Sequence, residues 1–133
     1  MTYTGILWTV VCASLLIAAD EKKPEPKYEM TTYIMGLLKR GPNSSSAVSE
    51  ESKRLQEGHM ANIRKMGASG KLVVAGPFAD NGDLRGIFIF QNTTMDEAKA
   101  MVAEDPAVKA GRLVVEFHPW FAAAGLRVNP PKE

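Results

Sequence analysis

The chain has 133 residues, 45% of them apolar, and sixteen basic against fifteen acidic side chains leave a net charge of +1. That length suits one compact domain, and the even charge balance gives no electrostatic footprint for a nucleic-acid or polybasic membrane binder. A single cysteine excludes an intrachain disulfide framework and any multi-thiolate metal centre within one chain, and two histidines leave little for an all-protein metal site.

Residues 1–19 contain 14 apolar residues and no charged side chain. The stretch from Gly5 to Ala19 falls short of the roughly 20 residues that a spanning helix requires, so no stable membrane span is expected. It has the length of a secretory signal core and ends in the small residues Ala18 and Ala19. The expectation is an exported protein, periplasmic or secreted. No Lys or Arg precedes the core and Ile17 is large for its place, so an uncleaved anchor and a cytoplasmic chain stay open as alternatives. The lone Cys12 lies in this leader, so a cleaved chain would carry no thiol. Residues 20–30 are charged and contain Pro24 and Pro26. Such a stretch buries too little to offset its ordering entropy and reads as a linker.

The domain is expected over residues 31–121, followed by a tail over 122–133. Thr32 to Lys39 is a short apolar run stopped at Gly41-Pro42, which suits a strand and a turn. Ser49 before Glu50 and Glu51 reads as an N-cap with acidic residues in the first helical turn, and the helix should run to about Ala68. Lys71 to Phe78 and Arg85 to Gln91 read as strands joined through the Asn81-Gly82 turn. Thr94 to Glu97 has the form of a capping box, and the helix it opens should stop before Asp105-Pro106. Arg112 to His118 reads as the fourth strand. The order βαββαβ is a ferredoxin-like α+β pattern. Gly70-Lys71-Leu72-Val73-Val74 is echoed by Gly111-Arg112-Leu113-Val114-Val115, which a shared glycine cap before a strand explains more simply than a duplication.

The strands carry apolar residues at successive positions, as in Ile87-Phe88-Ile89-Phe90. Both sheet faces are therefore apolar, and two helices can cover only one. A second copy of the same sheet is the simplest cover, so the sequence predicts a homodimer packed sheet to sheet.

On a helical wheel Ser52, Leu55, His59, Ile63 and Met66 fall within about 80° of one another, with His59 near the middle. That points His59 at the sheet. It is either a core histidine satisfied by hydrogen bonds or a general acid–base whose tautomer a carboxylate fixes. Asp105 is the leading partner, although Asp before Pro is also ordinary N-cap chemistry. Asp80 and Asp83 read as solvated turn residues. Glu116 and His118 lie two apart on one strand, about 7 Å from each other, and read as a salt bridge more readily than as a site rim. Trp120 reads as an apolar plug or dimer contact. Gly41-Pro42 and Gly76-Pro77 are isolated turns, and Arg54, Arg64 and Lys65 form a solvated helix face.

The run Gly58-His59-Met60-Ala61-Asn62-Ile63-Arg64, then Gly70 to Pro77, Asp105 to Gly111, and His118-Pro119-Trp120 resembles the YciI-like family, also called the YCII-related domain. The resemblance implies a dimeric α+β barrel with a pocket at each sheet edge. It also implies a His–Asp active-site pair, carried here by His59 and Asp105. Related members act on small cyclic or aromatic molecules by proton transfer, while the resemblance itself names no reaction for this chain. The first expectation is a cofactor-independent enzyme of lyase or isomerase type that takes a small organic ligand not named by the sequence. Backbone groups near Gly76 would then receive developing negative charge. The alternative is a non-catalytic ligand-binding or interaction module of the same fold. The leader departs from a mostly cytosolic family, and the loop from Gly41 to Ser49 looks like an extension over the pocket mouth.

Overall fold

A computed structural model describes residues 27–126; the apolar leader with Cys12, most of the charged linker and the tail from Arg127 lie outside the described residues. The elements are β1 (Met30–Arg40), α1 (Glu50–Ala68), β2 (Leu72–Pro77), β3 (Leu84–Phe90), α2 (Met95–Ala103), α3 (Pro106–Lys109) and β4 (Leu113–Ala123). The four strands form one antiparallel sheet in the order β2-β3-β1-β4, so the fold is α+β and ferredoxin-like.

Local chemistry sets the helix starts. Ser49 caps α1 by accepting from the Ser52 N–H, and the Ser52 hydroxyl lies 2.8 Å from the Ser49 N–H, closing the box. Thr94 and Glu97 make the same reciprocal pair at α2. The echoed segments share a cause: Gly70 and Gly111 both take positive φ, 74° and 69°, with one residue between each and the start of β2 or β4. That backbone region suits glycine, so local loop chemistry explains the likeness.

Helices cover one sheet face only. Ile34 and Leu38 of β1, Phe88 and Phe90 of β3 and Leu72 of β2 form a buried cluster with Met66 of α1 and Ala98 and Val102 of α2. Val115 and Phe117 of β4 pack against that cluster. Asn62 is also buried on α1, outside the predicted stripe, and its amide donates to the Met101 carbonyl at 3.2 Å. The burial is tolerated because the polar group is paired.

The alternate residues, among them Met35, Leu37, Ile87 and Val114, point to the face without helices. Val114 remains 47% exposed. Glu116 sits on this face between the Lys39 ammonium and His118, whose Nε2 lies 2.7 Å from Glu116 Oε1. Hydrogen bonds from Lys39 and then His118 hold the Glu116 carboxyl below its ordinary value. Trp120, also on this face, packs against Tyr33 with ring centroids 5.6 Å apart.

Two sequence expectations are corrected here. The fourth strand does not stop at His118; it continues through Pro119 to Ala123, pairing with β1 as far as Met30. Proline is tolerated because β4 is an edge strand, where a missing N–H can face away from the ladder. Gly76-Pro77 likewise ends the edge strand β2 and is not a free turn. Among the described residues no helix is long and apolar enough to cross a membrane.

Candidate functional site

His59 projects from the inner face of α1, and its Nδ1 lies 2.6 Å from Asp105 Oδ2. The Asp105 side chain is fully buried and that of His59 is 12% exposed. Asp105 Oδ1 accepts the Ala107 N–H at 2.9 Å, capping α3 behind Pro106. The carboxylate therefore caps a helix with one oxygen and holds the imidazole with the other, and the two readings of Asp105 hold together. An acceptor at Nδ1 assigns the hydrogen to that nitrogen, which leaves Nε2 as the free ring nitrogen. The ring lies nearly parallel to Phe88, 26° between planes and 6.3 Å between centroids. Close contact of α1 with α3 is possible because residue 58 has no side chain: a Cβ there would lie 2.7 Å from Pro106 Cγ.

His59 opens onto a cavity of about 450 Å³ between α1 and the sheet. Leu38, Leu55, Ile63 and Phe88 supply apolar walls, and Ser44, Ser45, Arg40, Arg85 and Arg112 supply polar lining. The loop after β1 does lie at this cavity. Asn43 fixes it by donating its N–H to the Gly111 carbonyl at 2.9 Å and its amide to Ala110 at 3.0 Å. Arg112 adds a bond from Nη2 to the Ser45 carbonyl at 2.7 Å.

The other candidates fall elsewhere. Asp80 accepts the Gly82 N–H at 3.3 Å and Asp83 sits beside Arg40, both as exposed turn residues. His118 and Glu116 are paired on the helix-free face, away from His59. Arg54, Arg64 and Lys65 are exposed. Gly76 lines the cavity, but it sits opposite Ile87 two residues before Phe78, whose N–H donates to the Arg85 carbonyl. The two-residue period turns the Gly76 N–H into the same ladder, so it is not free to receive charge. The three arginines were not singled out from sequence. Their one signal is position: each flanks the end or start of a strand, and pairing brings those ends together. Among the described residues no group of three or more His, Cys, Asp or Glu side chains is placed to hold a metal ion.

A ferredoxin-like sheet with a buried His–carboxylate pair at a cavity beneath α1 defines an α+β domain with one pocket beside that pair. The sequence matches the family model of the YCII-related domain over residues 32–120, and the chain belongs to that family. Among solved structures, the chain is similar to 5-chloro-2-hydroxyhydroquinone dehydrochlorinase from Burkholderia phenoliruptrix, determined in complex with 2,5-dihydroxybenzoquinone. The identity is 23%, the match covers 68% of this chain and 93% of that one, and the TM-score is 0.49. No curated protein sequence matches the chain.

Proposed function

We propose that this protein is an enzyme of lyase or isomerase type that moves a proton on a small organic molecule without a bound cofactor. One observation carries the reading: His59 is held at Nδ1 by the buried Asp105 carboxylate while the ring lines a ligand-sized cavity. A histidine needed only for packing would require no such fixed tautomer facing open space. Nε2 takes the proton from an acidic C–H of the ligand, and the electron pair moves into the adjacent carbonyl as an enolate. The proton then returns at another carbon, giving isomerisation, or the pair expels a leaving group with its electrons, giving elimination. Asp105 orients the imidazole and stabilises the cation formed in between, as an acceptor at Nδ1 does in other His–carboxylate pairs.

The test needs no named substrate. Incubation of the protein in D2O with a panel of cyclic and aromatic ketones and acids should show catalysed C–H exchange by NMR for some of them. His59→Ala should fold and abolish that exchange. Exchange unaltered by the substitution would remove His59 from the chemistry.

The apolar face without helices supports a second copy of the chain as its cover, packed sheet to sheet. Light scattering at micromolar concentration should report a dimer, and Leu37→Asp should give a monomer. A wild-type monomer would rule this assembly out. Export remains part of the proposal, to be checked by the N-terminal sequence of the protein recovered from the producing cells.

A further inference from the structure

The cavity opposite His59 carries an excess of positive charge. Arg40 at the end of β1, Arg85 at the start of β3 and Arg112 just ahead of β4 all line it, because antiparallel pairing gathers those strand termini at one end of the sheet. None of the residues lining the cavity is acidic. A protein with a net charge of only +1 thus concentrates three guanidinium groups on one pocket.

Their existing partners leave that charge largely uncompensated. Arg85 donates Nη1 to the Gly82 carbonyl at 3.3 Å, and Arg112 donates Nη2 to the Ser45 carbonyl. Carbonyls accept hydrogen bonds but do not neutralise a cation. Arg40 has the one carboxylate partner, Asp83, at 3.7 Å, and that side chain is 97% exposed. Such a loose surface pair contributes little.

The backbone at Arg85 is also irregular. Leu38 pairs with Gly86 and Lys39 with Leu84, so β3 has one residue more than β1 at this point and Arg85 is the residue without a partner on β1. Strict alternation from Phe88 and Gly86 on the helix side would send residue 85 to the opposite face, yet Arg85 lines the cavity. A bulge re-aims a side chain in this way.

We propose that the pocket is built for a small organic anion. Its carboxylate, or an equivalent planar anionic group, is received by Arg85 and Arg40, its apolar body lies along Leu38, Leu55 and Phe88, and its reacting carbon faces His59. The guanidinium fork matches a planar two-oxygen anion, which is why arginine suits the role better than lysine would. Arg112 serves mainly to hold the loop through Ser45. This assigns the substrate class of the proton-transfer reading and rests on that reading for the part concerning the reacting carbon.

The test is calorimetric titration with benzoate and its neutral isostere benzamide, using the intact protein. Benzoate should bind about tenfold or more tightly than benzamide, and Arg85→Gln and Arg40→Gln should each remove about that preference. High salt should weaken benzoate and leave benzamide unaffected. His59→Gln should retain benzoate binding, because the anion sits on the arginines and not on the imidazole. Equal affinity for the two probes, no binding of benzoate, or benzoate binding that survives both arginine substitutions would each overturn the proposal. So would loss of benzoate binding in His59→Gln. Should proton exchange prove independent of His59, the catalytic reading fails while the arginine-dependent anion preference stands; the reverse pattern separates them equally well.

Discussion

Replacing Asp105 by Asn changes one charge and almost no volume at a fully buried position, so its consequences follow closely from the geometry. The carboxylate now accepts from the Ala107 N–H at one oxygen and from His59 Nδ1 at the other. The amide has only one acceptor. If it keeps the Ala107 bond, its NH2 group meets Nδ1, and the imidazole must then present a lone pair there and carry its hydrogen on Nε2. Two charge-assisted bonds become two neutral ones, a loss of about 1 kcal/mol each. Relief of the buried carboxylate's desolvation offsets part of that, leaving a net destabilisation of roughly 1–2 kcal/mol. For a domain of this size the melting temperature should fall by about 4–16 °C. The sharper readout is the tautomer. Imidazole 15N chemical shifts should place the hydrogen on Nδ1 in the wild type and on Nε2 in the variant, and C–H exchange should vanish because Nε2 no longer has a lone pair. A wild-type His59 already protonated only at Nε2, or a tautomer unaltered by Asp105→Asn, would refute the reasoning.

Gly58→Ala is a helix-interior change that should ordinarily stabilise by roughly 0.5–1 kcal/mol, but the added methyl would meet the Pro106 ring at 2.7 Å. A net destabilisation of about 1–3 kcal/mol is expected from urea unfolding, together with weakened proton exchange as α1 and α3 move apart. Thr94→Ala removes the cap of α2 and should lower stability by about 1 kcal/mol in the same assay, with C–H exchange retained. Glu97 is held at about 2 instead of its ordinary 4.5, first by the Thr93 hydroxyl, then by the Thr94 N–H and Lys71. Because the folded-state value is depressed, its stabilisation is complete above about pH 4.5 and is lost as pH falls toward 2. Melting temperatures measured across that window should show a shallower acid decline in Glu97→Gln than in the wild type.

What could be read from the sequence was whatever depends on a few neighbouring residues. Thr94 with Glu97, Ser49 before two glutamates and Asp105 before Pro106 each encode a helix start in their own side chains, and all three are realised. The face of α1 carrying His59 followed from helical periodicity alone. What could not be read depends on pairing. That β4 runs through Pro119 follows from its place at the sheet edge, which no local pattern reveals. Arg85 reaches the cavity only because β3 gains a residue against β1, and a regular alternation would have sent it to the other face. Asn62 lies outside the apolar stripe of α1; its burial depends on the Met101 carbonyl, 39 residues away.

The site and the fold share their parts at Asp105. Pro106 ends the reach of α2 and starts α3; Gly58 lets that proline lie against α1; the contact brings Asp105 under His59; and the same carboxylate then caps α3. Each of these residues has an ordinary structural reason to exist, so a packing role and a chemical role leave the same mark in the sequence. The two roles are not rivals. A base that must keep one tautomer needs a partner that does not move, and a carboxylate already fixed by a backbone N–H has little freedom to move. On the proposed reading the arrangement also separates two tasks: the His–Asp pair is anchored by α1 and α3, whereas the arginines belong to strand ends and the loop they hold. Substitutions at the strand ends can therefore alter which anion is held without disturbing the imidazole, and loss of binding and loss of exchange should segregate to opposite sides of the cavity.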